Sequence, residues 1–180
     1  MNRKEAIEAK VAVPLSDADI LEYLPHAPIK KYSELARYKT LYELLPEVKS
    51  FCFILYEDSI NKGHWTVISR PEEGLVEFFC SYGSYPDSPL RWTEKSTRIG
   101  LGSGVAYLGK LFQECPDMVV YNKVHYQKEK PGVSDCGRYC ILRTLKMKAG
   151  MNLDQFYKYM KKECKRLRTD FDGAVTLIIQ

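Results

Sequence analysis

Cys136 stands in the stretch "QKEKPGVSDCGRYC" (127–140), nine residues after Gln127 and one helical turn ahead of a second thiol, Cys140. If a helix begins at Ser134 or Asp135, the Cys136 thiol lies in its first turn. Unpaired backbone N–H groups and the helix dipole there favour an anion, which lowers a thiol's pKa. This predicts an exposed, first-turn nucleophile. Gly137 beside it carries no side chain, so a substrate backbone can come close. Cys140, one turn deeper, reads as a core residue.

A nucleophilic thiol needs a base, and the chain offers three histidines. His26 lies in the Pro-flanked loop "LPHAP", and His125 alternates with apolar neighbours near a strand end. His64, in "GHWTV", opens a central strand. That position predicts a fixed, partly exposed imidazole, with the Trp65 indole as a wall against water. The third requirement is a donor for the oxyanion of a tetrahedral intermediate. The Gln127 amide and the backbone N–H of Cys136 can share that role.

These residues must be held by a fold of 180 residues, a length that suggests a single domain over 1–180 and is enough for a sizeable core. The composition is 45% hydrophobic and 28% charged, which argues against wholesale disorder. A net charge of +4 is compatible with an acidic partner such as nucleic acid without requiring one. No stretch approaches the ~18 apolar residues of a membrane span, and the N-terminus lacks a signal-peptide pattern. An intracellular protein with no membrane partner is expected, its six cysteines mostly reduced. A zinc site from Cys115, His125, Cys136 and Cys140 would lack the usual C-x2-C or H-x3–5-H pairs, so no metal is expected.

Along the chain, residues 1–15 read as a loosely held basic arm. "SDADILEYL" reads as a short helix capped by Ser16 with Asp19 at the third position. "SELARYKTLYELL" has helical spacing behind a Ser33 cap and stops at Pro46. "SFCFILYE", "HWTVISR" and "LVEFFCS" read as three adjacent antiparallel strands joined by short polar links. A helix over 104–114 and a strand over 117–126 follow. "SDCGRYCILRTLKMKAG" predicts a helix ending at Gly150, and "NLDQFYKYMKKECKRL" an amphipathic helix capped by Asn152 with Gln155 at N3. "GAVTLIIQ" reads as a closing strand or extended tail. The order of elements indicates an α+β protein.

Gly-His-Trp on a strand, then "FFCSYG", a glutamine, and "DCG" opening a helix resemble the adenovirus-type maturation proteases. The SUMO and ubiquitin-like-protein proteases share that framework, and the resemblance spans about residues 50–145. It implies a papain-like, adenain-like cysteine protease fold: a central mixed or antiparallel sheet flanked by helices, with the nucleophile at a helix N-terminus. By position it implies Cys136 as nucleophile, His64 as general base and Gln127 as oxyanion donor. The Gln-to-Cys interval is longer than the family usually shows, and "KEKPG" supplies the slack.

One departure is chemical. Where the families place Asp or Glu, this chain has Cys80, and a thiol cannot stabilise imidazolium as a carboxylate does. Glu77 falls on the opposite face of the same strand, while Asp87 and Asn122 stay open as orienters of the histidine. "YSELARYKTLYELLP" with the "GHW…YGSYPD" block resembles the virophage and Polinton-type enzymes in particular. That implies cleavage of viral capsid precursors after small residues such as glycine, by a monomer, inside the virion or the infected cell. A SUMO-type deconjugase, or an inactive binding module on the same fold, are the alternatives. No cofactor is expected, although the adenovirus relatives are activated by DNA and by a peptide. The basic run "KYMKKECKRLR" of the last long helix would be the DNA-binding face, unless it is only solvated surface.

Overall fold

The computed structural model describes residues 2–180. Five strands form one mixed sheet in the order β1-β2-β3-β4-β5: β1 (Ile29–Lys31), β2 (Phe51–Ser59), β3 (Lys62–Glu72), β4 (Leu75–Phe79) and β5 (Met118–Tyr121). β2, β3 and β4 make the antiparallel meander expected from their short polar links, and β1 and β5 flank it in parallel. The fold is therefore α+β, with helices on both sides of the sheet.

Alternation along β3 separates two cores. Trp65 and Val67 face one side, where α5 (Cys136–Lys148), α6 (Leu153–Leu167) and α7 (Phe171–Ile178) pack. Ile68 faces the other, with Cys80 and the apolar residues of two 3-10 turns and of α4 (Tyr107–Gln113). β3 and α5 are in direct contact, so the strand carrying His64 and the helix opening at Cys136 share one rigid packing surface.

A buried ion pair bolts β4 to α5. Arg143 donates from Nε and Nη2 to the two carboxylate oxygens of Glu77, at 2.7 and 2.8 Å, and from Nη1 to the Met151 carbonyl at 2.8 Å. Glu77 lies on the opposite face of β4 from Cys80, as strand alternation requires.

Two of the caps read from the sequence hold, while Ser33 lies inside a 3-10 turn rather than capping a helix. Ser16 and Asp19 form the capping box of α2 (Asp17–Tyr23), and Asn152 and Gln155 that of α6. Three expectations are corrected. Residues 3–11 are not a loose arm but α1 (Arg3–Val11), with an Asn2–Glu5 capping box and packing against α7. The helix expected over 33–45 is two 3-10 turns, Tyr32–Arg37 and Leu41–Glu43. Between them the Glu43 carboxylate takes the N–H groups of Lys39 and Thr40, at 2.6 and 2.9 Å, as an alternative to helical bonds. The closing strand is instead α7, started by Asp170, whose side chain accepts the Gly173 N–H at 2.9 Å. Among the described residues no helix is long and apolar enough to cross a membrane.

Candidate active site

β4 ends at Phe79, and the chain turns through Cys80–Gly83, where the Gly83 N–H donates to the Cys80 carbonyl at 3.0 Å. Gly83 has φ +72°, and a Cβ there would come within 2.9 Å of the Lys123 and Val124 backbone, so only glycine fits. This tight turn leaves the Cys80 sulfur 3.3 Å from His64 Nε2. Cys80 thus occupies the place beside the histidine where the resemblance expects an acid.

The two other residues open as orienters do different work. Asp87 accepts from the Tyr32 hydroxyl at 2.6 Å and from the Gly109 N–H at 2.6 Å, and so serves the packing of α4. Asn122 donates to the carbonyls of Cys80 at 2.7 Å and Val124 at 2.9 Å, holding the backbone of the turn rather than the imidazole.

Ser81 is the connection that sequence reasoning missed. Its carbonyl accepts the N–H groups of Tyr126 and Gln127, at 2.9 and 3.1 Å, and its hydroxyl donates to Gln127 Oε1 at 2.7 Å. The amide of the buried Gln127 is thereby oriented: its oxygen is occupied, and its Nε2 donors have no partner among the described residues. Only the adjacency of Ser81 to Cys80 in "FFCSYG" could have pointed to it.

Cys136 opens α5 as expected, but it is not exposed: 8% of its surface is accessible, against 9% for His64. Trp65 N–H donates to the Cys136 sulfur at 3.5 Å, tying the thiol to the residue next to His64. No hydrogen bond joins Cys136 to His64 directly. The indole of Trp65 is not the wall beside the imidazole, because alternation turns it to the opposite face, where its Nε1 donates to the Leu15 carbonyl at 3.0 Å. Tyr82 stacks on His64 instead, with ring centroids 4.8 Å apart, and Trp92 meets it edge-on at 5.1 Å.

Burial outweighs the helix terminus in setting the charge state. It pushes the Cys136 thiol up to about 11, against the opposing N–H groups of Trp65 and Gly137. Burial also presses the His64 imidazole down to about 3. At neutral pH the resting pair is therefore a neutral thiol and a neutral imidazole, not the activated thiolate that the helix-terminus argument alone predicts. Asp135, fully buried, is raised by desolvation to about 7 in spite of Arg138 at 3.2 Å.

The segment before α2 closes one side of the site. The carbonyls of Val11, Val13 and Leu15 accept from the Ser134 N–H, from Arg138 and from Trp65, at 2.9, 2.7 and 3.0 Å. A Cβ on Gly137 would stand 3.1 Å from Leu15 Cβ, so the close approach at Gly137 is made first by the protein's own chain. Beside Cys136 runs a groove of about 680 Å³ lined by Leu15, Ile29, Leu55 and Trp65, with Lys30 and Asp58 on its rim.

The remaining candidates stand apart. His26 and His125 are exposed, His125 lying 3.6 Å from Glu129. Cys140 is fully buried behind Cys136, donating to the Trp65 carbonyl at 3.4 Å, as its reading as a core residue requires. Among the described residues no three His, Cys, Asp or Glu side chains converge as metal ligands.

An uncharacterized protein, V9, of Sputnik virophage is 34% identical to this chain over 167 residues, which is 92% of this chain and 94% of that protein. The chain belongs to the same virophage protein family. No protein-family model and no solved structure matches it. V9 and this chain align over nearly their whole lengths, so the match is of the whole sequence rather than of one motif.

Proposed function

We propose that this chain is a cysteine endopeptidase with an adenain-like, papain-like fold that cleaves a virophage capsid precursor after a small residue such as glycine. The observation that carries the reading is the order of contacts around the imidazole. His64 Nε2 is held by Cys80, the thiol of Cys136 is tied to the N–H of the residue next to His64, and a buried glutamine has its amide oxygen anchored and its NH2 group unpaired. This leaves Nδ1 as the ring nitrogen for the thiol proton.

The Cys136 sulfur attacks the scissile carbonyl carbon while its proton passes to His64 Nδ1. The Cys136 N–H, unpaired in the first helical turn, and Gln127 Nε2 receive the oxyanion. His64 then gives the proton to the leaving amine as the C–N bond breaks. Water, deprotonated by the same imidazole, releases the acyl group from the sulfur. Because resting Cys136 is a neutral thiol, general-base assistance by His64 is part of the attack itself. Membership in a virophage family favours a capsid precursor over a SUMO-like conjugate as substrate.

The purified chain is to be incubated with the capsid precursor of its own virus and, separately, with a SUMO-like fusion, and the products mapped by mass spectrometry. Cleavage of the precursor after a small residue, with the fusion intact, is the expected outcome. Cleavage of the fusion alone would move the assignment to the deconjugases, and an intact precursor would contradict it. Lys158, Lys161, Lys162, Lys165 and Arg168 are exposed on or next to α6. Salt-sensitive stimulation by duplex DNA in the same assay would identify that face as a DNA contact, and no effect at low salt would make it solvated surface.

A further inference from the structure

The sulfur of Cys80 sits in an unusual setting for a core cysteine. It lies 3.3 Å from His64 Nε2, in a turn fixed by Gly83 and by the Asn122 bond to its own carbonyl. Burial raises its pKa, so the group beside the imidazole is a neutral thiol. At that distance the sulfur is a hydrogen-bond partner for one ring nitrogen and not for the other. This matters because the imidazole has two neutral tautomers, and the hydrogen bond made by one nitrogen decides which atom carries the proton.

We propose that Cys80 is the positioning residue of the site: its sulfur accepts the Nε2–H of His64, and so selects the tautomer whose bare Nδ1 takes the Cys136 proton. The assignment rests on the protease reading. Its content is separate, since it concerns which nitrogen of His64 is protonated and what holds the ring. In the alternative, S–H of Cys80 donating to Nε2, the proton would sit on Nδ1 and block the transfer. Transfer of the Cys136 proton needs a bare Nδ1, so within the protease reading Nε2 carries the hydrogen and the Cys80 sulfur accepts it.

The choice of sulfur over carboxylate has a chemical consequence. A carboxylate both orients the ring and stabilises the imidazolium formed in the transition state. A neutral thiol supplies the first and little of the second. Cys80 therefore acts on geometry and tautomer, and its replacement by aspartate adds a function that the native site lacks. The Tyr82 stack and the Trp92 edge fix the plane of the ring, but neither distinguishes its two nitrogens.

The test uses the full chain, nitrogen-15-labelled at histidine, with Cys80→Ala, Cys80→Ser and Cys80→Asp. Nitrogen shifts of His64 are expected to show Nε2 protonated and Nδ1 bare in the native protein, and a mixed population in Cys80→Ala. With a cleavable peptide, Cys80→Ala is expected to lower kcat by at least about tenfold with KM unchanged, a smaller loss than a wrong tautomer causes where a carboxylate is the orienter. Cys80→Ser restores most of it, and Cys80→Asp meets or exceeds the native rate. Far-UV circular dichroism and thermal melting establish that the variants fold.

A native His64 protonated at Nδ1, or a folded Cys80→Ala with one tautomer and unaltered kcat, overturns the proposal while leaving the protease reading intact. If no peptide is cleaved by any form, the protease reading is what fails. The nitrogen shifts of native and Cys80→Ala protein still decide whether Cys80 sets the tautomer.

Discussion

Cys136→Ala is expected to reduce precursor cleavage to background, a loss of about 10^4-fold or more, while the protein melts within a few degrees of the native chain. The size of the loss follows from the chemistry: no other thiol borders the groove beside Trp65, and without a sulfur no acyl intermediate forms. The mild structural effect follows from the packing, since the hydrogen bond from the Trp65 N–H to the sulfur is long, 3.5 Å. Cys136→Ser should be nearly as inactive. An alkoxide is harder to form than a thiolate, and the His64 imidazole, pressed to about 3 by burial, is a weak base. With Cys136 near 11, only roughly one chain in 10^4 carries a thiolate at pH 7, so His64→Ala should also fall steeply. Cleavage assays on variants checked by circular dichroism decide each case, and retained turnover by Cys136→Ala would remove it as nucleophile.

The largest effect on stability is expected at the pair that joins β4 to α5. Arg143 is 1% exposed, and its donors are taken by Glu77 and Met151, with the guanidinium lying over the Phe156 ring. Glu77→Ala would leave that charge buried with no counter-charge, at a cost of about 3–5 kcal/mol. Typical domains have a total stability of about 5–15 kcal/mol, so this single change takes up a large share. Replacing both partners by methionine should cost far less, because the desolvated charges disappear together. Urea unfolding of the single and double variants measures the difference. Equal losses in both would mean that packing, not the unpaired charge, sets the cost. The pair also has a bearing on the site, since Glu77 lies three residues before Cys80 and Arg143 seven after Cys136.

Much of the frame was legible because its signals are local. Ser16 with Asp19 and Asn152 with Gln155 form capping boxes within three residues, and the β2–β4 meander follows from short polar links between β-rich runs. Misreadings arose where tertiary contacts or one side chain overruled periodicity. Glu43 breaks a helical pattern by capping Lys39 and Thr40, and the β-branched Val175, Thr176 and Ile178 become helical on docking against α1, α5 and α6. The cap that announces α7, Asp170, precedes the stretch that looked like a strand.

In the site, residue types and order singled out Cys136, His64 and Gln127, and the tight Cys80–Gly83 turn after β4 explains why Cys80 meets the histidine. The roles of Ser81 and Asn122 are carried by bonds spanning more than forty residues, which no local pattern encodes. The thiol's charge state was misjudged for a related reason. The helix-terminus argument has the right sign, but the opposing burial is set by the Val11–Leu15 segment and the packed sheet, both products of the complete fold.

The central claim, that Cys136 is a nucleophile driven by His64, is tested most directly by trapping the acyl-transfer step. The native chain and His64→Ala should each be treated with a peptide electrophile ending in a glycine vinyl ester, and the adducts mapped by tandem mass spectrometry. One adduct per chain is predicted, on Cys136, and it should be lost or strongly slowed in His64→Ala. Labelling confined to the partly exposed Cys115 or Cys164, or equal labelling of Cys136 with and without His64, would contradict the account.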